Sequence, residues 1–427
     1  MTRGFLPALS AGSEAARRLS LRLTGSRLAA GLRTALRLAP LTACGAWLSG
    51  ATVMVADDDV RLDLGILEQA RAERADATAA DGTEWDVVRA RPGNSDDIDW
   101  SLRRARLGVA GTYDQDYRFN LTLDADLIDL QGYQETQNVG IYYAWLARDF
   151  SSGEATQTIN AGLNDAFFNR ADSAAPYFLF PSERASAALM TVRGIGVGYH
   201  LATPDADFGI DLRQSLDPNK PVENASNADG FFYSVRLEFS PLDGAKPAYQ
   251  ESYAGAPGEG ILLTGDYGVD DRDQSLPGYT IRKEGYGFEG LGHLDGLSVL
   301  LEARYLNLDQ ASNGGGAGPS SENHQRVLIV QAGYATQLGQ MVFEECGRWS
   351  EITFDAPAGS PPPNYNGGTY NPQPDSDWGD SGKQYDLGIN LYLKGHANKL
   401  QLAYSRWTAS SGAARAGIWR LQQQLFF

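Results

Sequence analysis

The sequence predicts an all-β chain closed into a transmembrane antiparallel β-barrel of about sixteen strands. Three observations carry that prediction. From residue 98 onward, apolar residues recur at every second position, in segments near the roughly 9 to 11 residues that a membrane strand needs. After residue 56 no stretch approaches the roughly 18 to 20 uncharged apolar residues that a helix needs to cross a bilayer. The chain also ends in Leu425-Phe426-Phe427, which continues Trp419 and Leu421 at period two as a last strand with a terminal aromatic residue.

The N-terminal segment has a composition unlike the rest of the chain. Residues 1–56 carry seven arginines against the single acid Glu14, and an uncharged run from Leu38 to Val55 ends at Ala56 before Asp57-Asp58-Asp59. A basic region, an apolar core and a small residue before a polar start make a signal peptide, here over-long. Leu41-Thr42-Ala43-Cys44 also has the form of a lipoprotein cleavage box. Removing residues 1–56 takes away seven basic and one acidic side chain, which moves the net charge from −17 to −23. So acidic a chain is a poor partner for nucleic acid. Only Cys346 would remain, so no internal disulfide can form. Residues 57–95, rich in Ala, Glu, Asp and Arg, read as a short periplasmic lead-in, either helical or disordered.

The barrel is expected over residues 96–427. Tyr117, Phe119, Leu121, Leu123 and Ala125 alternate with Arg118, Asn120, Thr122, Asp124 and Asp126, and a turn near Asp114–Asp116 joins them to the preceding strand. The pattern recurs at Ile195–Leu201, Phe231–Phe239, Leu297–Tyr305 and Tyr385–Leu393. About fifteen strands can be marked, and the even count of single-chain barrels raises the expectation to sixteen. Tight turns are expected near Asp114–Asp116, Pro204–Asp207, Asp243–Gly244 and Gly395–Asn398, and long polar loops at Asp309–Asn323 and Ala356–Gly382. Short turns at one end and long loops at the other are the asymmetry of outer-membrane barrels.

Alternation also sorts charge. The lumen-facing candidates are Arg104, Arg106, Arg118, Asp124, Arg236, Glu238, Glu302 and Arg304, joined by Arg348, Asp126 and Asp386. Charge placed where water is confined focuses the field and sorts solutes; charge paired across the wall stiffens it instead. Both readings stand for these residues.

Leu102-Arg103-Arg104-Ala105-Arg106-Leu107-Gly108 resembles the opening hairpin of the phosphate-selective porin O and P family. Ile159-Asn160-Ala161-Gly162-Leu163, then Ala166-Phe167-Phe168, and then Glu183-Arg184-Ala185 are similar to the segment that in this family leaves the wall and folds into the lumen. The resemblance spans roughly residues 98–427. It implies a water-filled outer-membrane pore for passive diffusion of small hydrophilic solutes or ions. It also implies a homotrimer set among outer-membrane lipid and lipopolysaccharide. Residues Asn164 to Ala188 then form a constriction loop with charges Asp165, Arg170, Asp172, Glu183 and Arg184, anchored by Phe167, Phe168, Tyr177, Phe178 and Phe180. Gly194, Gly196 and Gly198 would leave room for that loop on the inner wall. The family's lysines are absent, and the first lysine in the chain is Lys220, so the resemblance carries the fold and the pore and not phosphate as the solute.

Other chemistry finds little support. The histidines His200, His293, His324 and His396 have no nucleophile setting beside them in sequence, so no enzyme is expected. No cofactor motif is present, because the glycines at 194, 196 and 198 have the wrong spacing for a nucleotide loop. Asp270-Asp271-Arg272-Asp273 and Asp375-Ser376-Asp377 lack the spacing of a Ca²⁺ cage and read as solvated loop acids, so no metal is expected. The competing function is a structural barrel that tethers the envelope through residues 57–95 as a periplasmic arm.

Overall fold

The computed structural model describes residues 60–78, 98–114, 116–125, 140–168, 193–215, 230–242, 258–276, 279–312, 321–355, 381–410 and 415–426, together with a few short stretches. All of them lie within the compact unit Gly50–Phe427. The signal-peptide reading of residues 1–56 falls almost wholly outside the described residues.

Sixteen strands make the wall. In chain order they are β1 (Val60–Thr78), β2 (Asp99–Tyr113), β3 (Tyr117–Asp124), β4 (Gly140–Ser152), β5 (Ala155–Asp165), β6 (Arg193–Ala202), β7 (Ala206–Ser215) and β8 (Phe231–Phe239). The second half comprises β9 (Gly260–Leu276), β10 (Tyr279–Leu294), β11 (Leu297–Ser312), β12 (Ser321–Leu338), β13 (Met341–Asp355), β14 (Gly382–Lys394), β15 (Asn398–Ala409) and β16 (Arg415–Phe426). Each pairs antiparallel with its neighbour, and β1 closes the ring by pairing with both β2 and β16, as in Leu67↔Phe426 and Leu67↔Arg106. Closure leaves no open edge, the condition for a sheet in lipid.

The first strand corrects the sequence reading. Residues 60–78 are neither a helix nor a periplasmic arm: they are the longest strand of the wall. The segment misleads because its small alanines sit on both faces, so the period-two contrast is weak. Its partners, not its own pattern, hold it in the sheet. It is also the strand that raises the count from the fifteen marked in the sequence to sixteen.

Which face is which follows from burial. On β14, Gln384, Asp386 and Asn390 are buried, with Asp386 only 1% exposed, whereas Tyr385, Leu387 and Ile389 are exposed, Leu387 to 63%. A polar interior behind an apolar exterior is unfavourable in water and stable in a bilayer. The same sorting runs through Ile195 and Val197, Tyr233 and Leu237, and Leu301.

The ends of the barrel differ as expected. At one end the connections Asp114–Asp116, Gly153–Glu154, Thr203–Asp205, Asp295–Gly296, Gly339–Gln340 and Gly395–Ala397 are tight. Asp295 and Gly296 both have positive φ, the geometry of a two-residue hairpin whose twist matches its strands. At the other end the strands are joined across residues 79–98, 125–139, 166–192, 216–230, 313–320 and 356–381, and across the shorter 277–278 and 410–414. Short turns face the periplasm in such barrels, which puts both ends of the wall on that side. One expected tight turn is replaced by a long connection. Asp243–Gly244 lies outside the described residues, and the connection around it runs from Ser240 to Glu259 because β8 and β9 pair only up to Phe239↔Leu263.

Candidate functional site

The lumen face is built by alternation, and its charges meet their neighbours one or two strands away. On β2 to β5, Arg106 pairs with Asp124 at 3.1 Å and lies 3.7 Å over the Tyr142 ring. Arg118 reaches Asp149 at 2.6 Å, and Thr158 donates to the same carboxylate at 2.6 Å. Tyr143 donates to Asp165, the first of the expected constriction-loop charges, which stands at the last position of β5. Arg170, Asp172, Glu183 and Arg184 lie outside the described residues, as do Tyr177, Phe178, Phe180 and Asp126.

The entry of that loop is described and turns inward. Phe167 donates its backbone N–H to Asp211 Oδ2 at 2.6 Å, and Asp211 is held by Arg213, which donates to Asn160 Oδ1 at 3.1 Å. The Phe167 ring packs against His200 at 5.0 Å and under the Arg236 guanidinium at 5.2 Å. Phe168 joins Ala166, Phe232 and Leu306 in an apolar cluster on the inside of the wall. The space for these rings comes from Gly209 and Gly268, where an added Cβ would stand 2.6 Å from Phe167 and 2.8 Å from Phe168. Around Gly194, Gly196 and Gly198 the described neighbours are Arg213, Asp211 and Asn160.

Beside Phe168 stands the most acidic cluster of the described wall. Arg304 donates to Asp266 Oδ1 at 2.8 Å and also bonds Glu289 and Glu302. Three carboxylates thus share one guanidinium, and Phe168 covers it at 5.6 Å. Arg236 pairs with Glu238 at 2.9 Å, and Arg348 with Asp386 at 2.8 Å. Arg104 donates to Gln69 at 2.8 Å.

Amides and acids continue this network around the seam of the barrel. Arg71 donates to Gln422, Gln422 to Gln401 at 3.0 Å, Gln401 to Asn390 at 3.0 Å, and Asn390 to Glu344 at 3.4 Å. These residues step across β1, β16, β15, β14 and β13 in turn. Each donor satisfies the next acceptor, so the polar wall is rigid as well as hydrophilic.

The structure brings Arg106 with Asp124, Arg236 with Glu238, and Arg304 with Glu302, where alternation had given only a shared face. Their charges are paired within the wall, and this favours the stiffening reading for those residues. Asp266, Glu289, Asp211, Arg213 and Glu344 belong to the same lumen and were missed in the sequence. Asp211-Leu212-Arg213 shows the period-two signal, and the fully buried Glu344 stands beside the equally polar Glu345, which hides it. Asp270 to Asp273 lie within β9 rather than in a loop, and Asp375 to Asp377 lie outside the described residues. His200 faces Asp207 at 3.8 Å.

The family model of the phosphate-selective porins O and P matches residues 79–259. No curated protein matches the chain. Solved structures with the same fold include the outer membrane channel DcaP of Acinetobacter baumannii, 13% identical with TM-score 0.51, covering 89% of this chain and 100% of that one. The anion-selective porin from Comamonas acidovorans is 10% identical with TM-score 0.52, over 86% of this chain and 100% of its own. OmpT of Vibrio cholerae is 8% identical with TM-score 0.51, over 88% and 99%. The family match thus covers residues 79–259, and the wall shares the fold of these outer-membrane proteins.

Proposed function

We propose that the protein is a general porin, through which small hydrophilic solutes and ions diffuse passively across the outer membrane. The observation that carries this is the inverted wall: a closed ring of sixteen strands with buried charges and amides inside and exposed leucines and aromatics outside. The chain acts as a channel and not as an enzyme, with Arg104, Arg106, Arg118, Asp124, Arg236, Glu238, Glu302 and Arg304 lining the path. Asp165 stands where its constriction loop begins, and Arg170, Asp172, Glu183 and Arg184 belong to that loop. The assembly is a homotrimer in contact with lipopolysaccharide, an expectation taken from the family resemblance.

The selectivity proposed is for cations or for no ion in particular. Arg106, Arg118, Arg236 and Arg348 are each matched by an acid, and around Arg304 the acids outnumber the base three to one. The lysines that would attract phosphate are missing from the first 219 residues. The tethering alternative loses its arm, because residues 60–78 are built into the wall. Single-channel conductance in a planar bilayer, with reversal potentials in a KCl gradient, tests the reading. Stepwise conductance with cation preference supports it; anion preference overturns the selectivity; folded protein without conductance overturns the pore.

A further inference from the structure

The connection Ser240–Glu259 stands out from every other turn at its end of the barrel. Its neighbours there are two or three residues long, and a hairpin needs no more. Pro241, Leu242, Gly258 and Glu259 near its ends are exposed, but its described middle residues turn inside the wall. Tyr249, Glu251 and Ser252 are all buried.

Two kinds of contact hold them there. Tyr249 closes an apolar cluster with Leu262, Leu291 and Leu300, three leucines on the lumen side of β9, β10 and β11. Without a cover those leucines would face channel water. Polar contacts then carry the segment across the wall. Lys246 pairs with Asp207 on β7, Tyr249 donates to Glu289 on β10 at 2.8 Å, and Gln331 on β12 donates to Glu251 at 3.1 Å. Glu344 on β13 accepts from Ser252 Oγ at 2.7 Å, from the Tyr253 backbone N–H at 3.0 Å, and from Tyr392 on β14 at 2.6 Å. The Tyr392 hydroxyl also lies 2.8 Å from Ser252 Oγ. Burial and the neighbouring Glu289 carboxylate push the Tyr249 phenol well above its ordinary range, so it remains a donor.

The contacts run from β7 to β14, half of the ring, and Glu344 and Tyr392 lie within four residues of periplasmic turns. A segment with this reach is a strap along the inside of the periplasmic mouth. We propose that Tyr249, Glu251 and Ser252, with Lys246 and Tyr253 beside them, form a second constriction, which limits the size of solute that leaves the channel toward the periplasm. It is separate from the loop that starts at Ala166, because that loop enters from the opposite end. This inference rests on the porin reading.

The test replaces Ser240–Glu259 by a four-residue glycine-containing turn in the full chain. Planar-bilayer conductance and swelling of proteoliposomes in a pentose, a disaccharide and a tetrasaccharide are then compared with the parent. The proposal expects a several-fold rise in conductance and entry of a larger sugar. A silent parent with a conducting variant supports it as well, with the strap acting as a full plug. Equal conductance and an equal sugar cut-off overturn it while leaving the porin intact. If both proteins are folded by heat-modifiability and neither conducts, the porin reading fails and takes the strap with it. Should the replacement not fold, the double variant Ser252→Ala with Glu344→Gln decides. It releases the anchor without shortening the chain and should show transient steps to a higher conductance; steady parent-like current overturns the proposal.

Discussion

The ring of Phe168 rests on the bare backbone of Gly268, so close that a Cβ at Gly268 would stand 2.8 Å from it. One residue begins the inward loop and the other belongs to β9 of the wall, so this contact seats the loop. Gly268→Val should unseat it. The overpacking should cost about 1–3 kcal/mol, and the released loop should raise conductance and current noise. Phe168→Ala should act in the same direction, and the double variant should add little. Additive effects in single-channel recordings would show that the two residues act independently.

Arg304 neutralises a cluster with three acids, Asp266, Glu289 and Glu302. Arg304→Gln leaves those carboxylates facing one another. Loss of one partner of a buried ion pair costs about 3–5 kcal/mol, so the urea midpoint in lipid vesicles should fall. The reversal potential should shift toward cations, because uncompensated acids then face the path. An unchanged potential would remove this cluster from the conduction route.

Arg348 and Asp386 form a buried pair at 2.8 Å on adjacent strands. Arg348→Met alone or Asp386→Leu alone should destabilise the barrel by about 3–5 kcal/mol, whereas the double variant should recover most of the loss. Equilibrium unfolding of the four proteins measures the coupling. Equal and additive losses would mean that the pair does not interact.

Leu387 and Asp386 are adjacent in sequence and stand on opposite faces of β14, one exposed to 63% and the other to 1%. Leu387→Arg should cost about 2–4 kcal/mol if it lies near the bilayer centre, and less toward either interface. In detergent-free vesicles this appears as a lower unfolding midpoint. A neutral effect would place Leu387 in water rather than in lipid.

Much of the wall was legible in the sequence, because a bilayer imposes a strict rule on strands. Ile195, Val197, Tyr233 and Leu387 point outward as their period-two spacing requires, and Arg304 and Glu302 share the inner face for the same reason. The strand Val60–Thr78 escaped because Ala70, Ala72, Ala75 and Ala77 give no contrast between its faces. The inner charges were legible as a face but not as pairs. Arg106 and Asp124 are 18 residues apart and Arg304 and Asp266 are 38 apart, and only strand register brings them together.

The sequence by itself determined an antiparallel barrel in an outer membrane, the identity of most of its lipid face, and a lumen lined with both signs of charge. These follow from local rules, since the side chain of each strand residue is sent in or out by its position alone. The tertiary structure decided the rest: that the first strand is Val60–Thr78, that Arg106, Arg236, Arg304 and Arg348 are matched by acids, that Gly209 and Gly268 seat the inward phenylalanines, and that Tyr249, Glu251 and Ser252 lie along the inner wall. Each of those depends on contacts between residues distant in the chain. No period in the sequence records them, because the register of a closed ring is set only when all sixteen strands are in place.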